Sequence, residues 1–536
     1  MTRLGLLFLF LPALTGCGVV SFGLDDPAGS DGIEKTTVVS HTPFLDSATV
    51  IAGPEYAAGG LHRFVWGDHY RDEWTSPFTV QVLDLVTFAD GLTPVKRGGG
   101  FQTMSLRFKG KNGRFYAFRS INKDPAKALP PELRQTFAGG VLKDQISSSH
   151  PAGALVVDVL ADTLGVLHPE PILCILPDDD RLGEFRSDFA GLLGTLEDYP
   201  ADGEDGTAGF AGSTKIVSTL KLFDELDKNS ENRVNAMAFL TARLLDVFVG
   251  DWDRHIDQWR WARFEKGGRD VWHPIPRDRD QAFAHLDGVI PWIGMNAITQ
   301  VEAFDDDFPK IADLTYSGRF LDRRLLVDLD WRTWDSVTSV VISKLTDDIL
   351  TRALDRIPAA MRSNSAWILS SLKARRAKLA DASREFYLDI AGDVDIRLSD
   401  KAEFAIIERM DDQHTRVTVA RRDKATGESK GPPVYSRIFS NDETDEIRVY
   451  LLDGDDKVTV SGEVQCGTIV RVVGGKGDDE LRDDSIVHGR FLGIFPKVST
   501  RTYFYDDAGK NVFIPGRGTA VNTDKYENTL LATEQY

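Results

Sequence analysis

The residues best suited to chemistry are aspartates, crowded on either side of one predicted hairpin. Asp251, Asp253 and Asp257 precede it, and Asp278 and Asp280 follow it. Between them Gln258-Trp-Arg-Trp-Ala-Arg-Phe264 alternates as a strand, Glu265-Lys-Gly-Gly-Arg269 reads as a turn, and Val271-Trp-His-Pro-Ile-Pro276 returns as a second strand. A hairpin brings its own ends together, so the two acidic loops become neighbours. Carboxylates crowded in this way repel one another, and they stay ionised only beside a divalent cation or an arginine. The plain alternative is a surface hairpin with solvated acidic ends and core tryptophans. A metallohydrolase using Asp253, His255, His273 and Asp278 is a poorer fit, because the spacing matches no common zinc signature. In that region His255 reads as a buried, hydrogen-bonded spacer.

Gly250-Asp-Trp-Asp-Arg-His255 followed by Pro276-Arg-Asp-Arg-Asp-Gln-Ala-Phe283 resembles the atypical kinases whose catalytic loop reads Asp-Arg-His or Asp-Asp-His. These include the Golgi casein kinase type, the spore-coat kinase CotH, HipA and type II phosphatidylinositol kinases. The resemblance covers about thirty residues, with a weaker echo upstream. It implies a catalytic loop with a base, a hairpin, then a metal-binding Asp. Asp253 takes the base position, and Gln258 stands where the family has a metal-binding Asn. Asp278 lies five residues before Phe283, as the metal Asp does, and the repeated Asp-Arg-Asp leaves Asp280 as a rival. The implied cofactor is Mg2+ or Mn2+ with a nucleoside triphosphate.

Upstream, Met104-Ser-Leu-Arg-Phe108 and Tyr116-Ala-Phe-Arg119 alternate around a Lys111-Asn-Gly113 turn and predict another hairpin. Gly98, Gly99 and Gly100 precede it where kinases keep a glycine-rich loop. Arg119 occupies the slot of the strand lysine, with Lys123 as the fallback. Asp144 or Gln145 is the expected partner of Arg119, Asp144 making the better ion pair. Gly194-Thr-Leu-Glu197 falls where a hinge would hold a base. A helix through Leu155, Val156 and Leu160 should stop at Gly165, and Ile172–Leu176 is a short apolar strand.

The expected fold class is α+β: a two-lobed atypical kinase-like domain followed by an all-β domain. The boundaries are a lipoprotein signal peptide over 1–16, a lipidated Cys17 and tether over 17–47, an N-lobe over 48–200, a helical C-lobe over 201–391, a β domain over 392–495 and a polar tail over 496–536. In the β domain, Gly474-Gly-Lys-Gly-Asp-Asp479 resembles a single calcium-binding nonapeptide repeat. The preferred reading is a tight turn between strands, with the Ca2+ site that the resemblance implies as the alternative.

Arg3, the apolar run Leu4 to Leu14 and Leu14-Thr-Gly-Cys17 resemble a lipoprotein signal with its lipobox. The run is too short to span a bilayer, which takes ~20 apolar residues. Gly18 after Cys17 favours the outer membrane, periplasmic or surface side. The partners expected are the membrane, through the lipid, and an unnamed hydroxyl acceptor or envelope protein. A net charge of −19 and a pI near 5.0 speak against nucleic acid. Besides Cys17 only Cys174 and Cys466 remain, so no disulfide framework is available. Two further classes stay open: a kinase-shaped pseudoenzyme that binds a ligand or partner, and a purely structural envelope lipoprotein.

Overall fold

The computed structural model describes residues 37–41, 46–98, 103–125, 137–203, 208–266, 269–297, 301–423, 425–491 and 495–526. The chain is α+β, with helices and strands mixed in its first three quarters and strands alone after residue 392. Among the described residues no helix is long and apolar enough to cross a membrane.

The first sheet has eight strands: β1 (Thr37–His41), β2 (Ser47–Ile51), β3 (Phe78–Val82), β4 (Leu92–Gly98), β5 (Thr103–Gly110), β6 (Phe115–Lys123), β7 (Ile172–Ile175) and β8 (Leu193–Asp198). Their order is β1-β2-β3-β7-β8-β6-β5-β4. The β5–β6 hairpin forms as its alternation predicts, pairing Leu106 with Phe118 and Phe108 with Tyr116. Leu106, Phe108 and Phe118 are fully buried on one face. Arg119 and Lys123 therefore project from the other, which is the period-two consequence that matters for the site. The helix Gly153–Leu164, whose Ala154 and Leu155 line the same cleft as Arg119 and Lys123, ends on Gly165 in the left-handed conformation.

A four-stranded sheet follows, built from β9 (Lys215–Ser218), β10 (Arg233–Val234), β11 (Trp259–Lys266) and β12 (Arg269–Pro276) in the order β10-β12-β11-β9. The β11–β12 register runs from Trp259 opposite Pro276 to Lys266 opposite Arg269, so the acidic loops meet at one end. Trp259 and Trp261 are fully buried beside Phe239 of the helix Ala236–Val249. The helices Trp331–Lys344 and Ser365–Ala391 close the same core.

Beyond Gly392 the chain coils into a solenoid. Its strands are β13 (Asp393–Arg397), β14 (Glu403–Arg409), β15 (His414–Arg422), β16 (Ser429–Ser440), β17 (Glu446–Tyr450), β18 (Lys457–Ser461), β19 (Glu463–Val464), β20 (Ile469–Val473), β21 (Glu480–Asp483), β22 (Ile486–Phe491), β23 (Phe495–Val498), β24 (Thr502–Tyr505), β25 (Val512–Ile514) and β26 (Thr519–Asn522). One face is the parallel stack β13-β17-β20-β24-β26, and a second contains the parallel stack β14-β18-β21-β25. Like residues lie above like: Ile396, Val449, Val472 and Phe504 form one buried ladder. The region expected as a polar tail thus contributes three strands to these stacks, β24, β25 and β26.

The Gly474–Asp479 turn is one rung of that solenoid. A Cβ on Gly475 would collide with the Leu452 carbonyl oxygen of the preceding turn, and one on Gly477 with that of Gly454. Glycine is therefore required for the coils to stack. The turn carboxyls carry the neighbouring amides. The Glu403 N–H donates to Asp456 (2.6 Å), the Asp456 N–H to Asp479 (2.8 Å) and the Asp479 N–H to Asn511 (2.9 Å).

Burial, reinforced by neighbouring Asp479 and Glu403, pushes the Asp456 carboxyl up to about 9. An unfolded aspartate titrates at ~3.9. Between these limits the folded state keeps a proton that the unfolded chain releases, so this contribution is full at low pH and is lost as the pH rises through about 9. We expect the melting temperature to fall from pH 5 to pH 9, and Asp456→Asn, which imitates the protonated carboxyl, to flatten that fall. Scanning calorimetry in EDTA reads it, and an identical pH slope in the variant would contradict it.

Candidate active-site cleft

The helix Ala236–Val249 is capped at its start by the Asn235 side chain, whose Oδ1 accepts the Ala238 N–H. It stops at Gly250 with φ 70°, and a Cβ there would press on Phe304 at 3.2 Å. The turn drops Asp251 into the interior, where burial, assisted by Asp253 and Asp278, raises its carboxyl to about 7. Asp253 points outward, its side chain 33 % exposed. Arg254 returns inward and donates from Nη1 to the backbone oxygens of Arg277 (2.8 Å) and Asp278 (2.9 Å). This arginine fastens the loop before the hairpin to the loop after it.

Arg254 is itself held by Asp246 (3.3 Å) and Asp251 (3.5 Å), and it lies over the Trp259 ring at 4.9 Å. Asp246, fully buried, also pairs with Arg243 (2.9 Å) and Arg279. Arg243 continues to Asp322 through two bonds, 2.7 and 2.8 Å. Charges removed from water this thoroughly persist only when each has a partner. The network is the foundation of the site.

Asp278 has φ 56°, a left-handed conformation uncommon for a residue with a side chain. The strained turn aims its carboxylate at strand β6, where Oδ2 meets Arg119 Nη1 at 3.1 Å. Asp280 meets Lys123 in the same way. Burial alone would raise the Asp278 carboxyl, but Lys123, Arg119, Arg277 and Arg254 outweigh it and hold it below the ordinary range. Conversely, burial lowers the Lys123 ammonium, with Asp278 and Asp253 only partly offsetting it. These four side chains line one cleft with His150, Thr195 and Glu197. Phe283 closes the segment, its N–H donating to Val249 O (2.9 Å).

Other expected site residues stand elsewhere. Asp144 is not the partner of Arg119. It takes two bonds from Arg71 (2.9 and 2.7 Å), faces His62 at 3.2 Å, and ties the helix Arg71–Thr75 to the segment before Gly153. Gln145 donates to the Trp66 carbonyl. Gln258 turns its amide nitrogen to His255 Nε2 (3.4 Å) rather than toward the carboxylates. His255 is 44 % exposed instead of a buried spacer, with Nδ1 accepting the Asp257 N–H and Nε2 3.8 Å from Asp253. His273 sits on Asn235 and Phe264, so the zinc-like set does not assemble. Gly98 ends β4, while Gly99, Gly100 and Cys17 lie outside the described residues. Sequence reasoning missed Arg254 and Arg277 as builders of the cleft, and Glu197 as a cleft carboxyl that burial pushes above its ordinary range against the pull of Arg119. The last was within reach, because Thr195 and Glu197 alternate on one face of β8, which pairs Thr195 with Arg119.

No family model matches the chain, and no curated protein matches it. Among solved structures it is similar to the proinflammatory kinase CtkA of Helicobacter pylori, at 12% identity and a TM-score of 0.30. That alignment covers 56% of this chain and 96% of that one. It is also similar to HipA from the toxin–antitoxin complex of Shewanella oneidensis, at 12% identity and a TM-score of 0.29, covering 55% and 74%. Likenesses this faint carry no argument.

Proposed function

We propose that residues 48–391 form a two-lobed, kinase-like phosphotransferase domain that binds a nucleoside triphosphate between β6 and the Asp278–Asp280 loop. The observation that carries this reading is the convergence of Arg119 and Lys123 with Asp278 and Asp280 across a cleft, from segments more than 150 residues apart. In the reaction an acceptor hydroxyl attacks the terminal phosphorus. The new bond joins acceptor oxygen to phosphorus, and the bond to the β-phosphate oxygen breaks to release the diphosphate. Asp253, exposed beside the cleft and within electrostatic reach of Lys123, orients the hydroxyl and takes its proton. Arg119 and Lys123 hold phosphate oxygens through charge-assisted hydrogen bonds.

The divalent metal that the resemblance implies does not fit these residues readily. Asp278 and Asp280 each face a cation, and the Gln258 amide is turned to His255. Among the described residues no three His, Cys, Asp or Glu side chains group as a metal site.

A second reading, a pseudoenzyme that binds the same ligand without transferring its phosphate, is favoured by Arg119 in place of lysine and by Gln258 in place of asparagine. Calorimetric titration with ATP and a labelled phosphate-transfer assay on the same sample separate the two: both bind, and only the enzyme transfers.

A further inference from the structure

Resting on that reading of the cleft, the geometry points to a phosphate site that needs no divalent cation. We infer that Arg119 and Lys123 bind the phosphates of the ligand directly, and that Asp278 and Asp280 act as internal competitors for those two cations rather than as metal ligands.

Four cations act on the Asp278 carboxylate, namely Lys123, Arg119, Arg277 and Arg254. A divalent ion on Asp278 would have to displace Arg119 from its 3.1 Å contact and would still face Lys123, Arg277 and Arg254. An anion meets the opposite situation. The side chains of Arg119 and Lys123 are 16 and 15 % exposed, so they are reachable from the cleft yet poorly screened by water. Arginine presents a planar fork that matches two phosphate oxygens, and lysine supplies a compact charge two period-two steps further along the same strand. Nor does Gln258 add a charge that would draw a second metal.

Arg254 and Arg277 complete the picture. Arg254 gives its Nη1 donors to the backbone at Arg277 and Asp278, so it is committed to shape and contributes only its field. The Arg277 guanidinium lies 5.6 Å from the Tyr199 ring centroid. Arg119 and Lys123 are thus the cations whose present partners, Asp278 and Asp280, can be exchanged for a ligand. Before ligand arrives, the two aspartates keep those buried cations neutralised, as a buried charge requires. Binding then exchanges one anion for another on the same two cations.

The consequence has a sign opposite to that of a metal site. Removing a metal ligand weakens nucleotide binding, whereas removing an internal competitor strengthens it. ATP and inorganic pyrophosphate are titrated calorimetrically into the full-length wild type, Asp278→Asn and Arg119→Met, in EDTA and in excess MgCl2. We expect ATP to bind in EDTA with an affinity within about threefold of that in MgCl2. Asp278→Asn should tighten it by about tenfold, and Arg119→Met should weaken it by about as much. Pyrophosphate separates phosphate recognition from base recognition, and it should follow the same order. Binding confined to MgCl2 and lost in Asp278→Asn would overturn the inference and leave the phosphotransferase reading intact. Absence of binding by either ligand in either buffer would overturn both. Should Asp278→Asn not fold, Asp280→Asn removes the partner of Lys123 and is read for the same tightening.

Discussion

Replacing Asp253 by asparagine is expected to lower phosphate transfer by ~10²–10⁴-fold, while ATP affinity stays within about threefold of wild type. The side chain is a third exposed and makes no ion pair with Arg119 or Lys123, so it contributes little to holding phosphates. Its role is confined to the step in which a hydroxyl loses its proton. Asparagine keeps the shape and one acceptor oxygen, and loses only the capacity to take that proton. Rate and affinity are measured on the same preparation. Equal loss of both would place Asp253 among the binding groups, and unchanged turnover would remove it as the base.

The second large effect lies below the cleft. Asp246→Ala deletes the carboxylate shared by Arg243, Arg254 and Arg279, all of them buried or nearly so. Asp322 and Asp251 remain for Arg243 and Arg254, but Arg279 keeps only the 3.6 Å contact to Asp251. Uncompensated charge in such a place costs about 3–5 kcal/mol. Urea unfolding should show that loss. Arg254 also fixes the backbone of Asp278, so ATP affinity should fall with it. A loss below about 1 kcal/mol would mean that water reaches the arginines.

How much of this was legible in the sequence follows from the range of the interactions concerned. Strand alternation is local, and it located both hairpins and the burial of Trp259 and Trp261. Helix termination at Gly165 is local too. The meeting of Arg119 with Asp278 could be anticipated only through the resemblance, since nothing near either residue marks the other. Asp144 shows the limit. On its own segment it looked like the partner of a strand arginine, yet Arg71, 73 residues earlier, offered a bidentate fork. The solenoid escaped for a different reason. Its ladder contacts are offset by 23 residues at Asp456–Asp479 and by 32 at Asp479–Asn511. No fixed period exists to be read, and only one turn is rich in glycine. Strands as short as Val512–Ile514, with half-wet side chains, read as a polar tail until the coil beneath supplies their partners.

The central claim is that the cations of β6 form the phosphate site of a nucleotide cleft, and a single comparison tests it most directly. ATP is titrated calorimetrically into the wild type and into the double variant Arg119→Met/Lys123→Met, each first shown to melt as a folded protein. Wild type should give a saturable one-to-one isotherm, and the double variant should give none. A double variant that binds ATP as well as wild type, or a wild type that binds none, would contradict the assignment of the cleft.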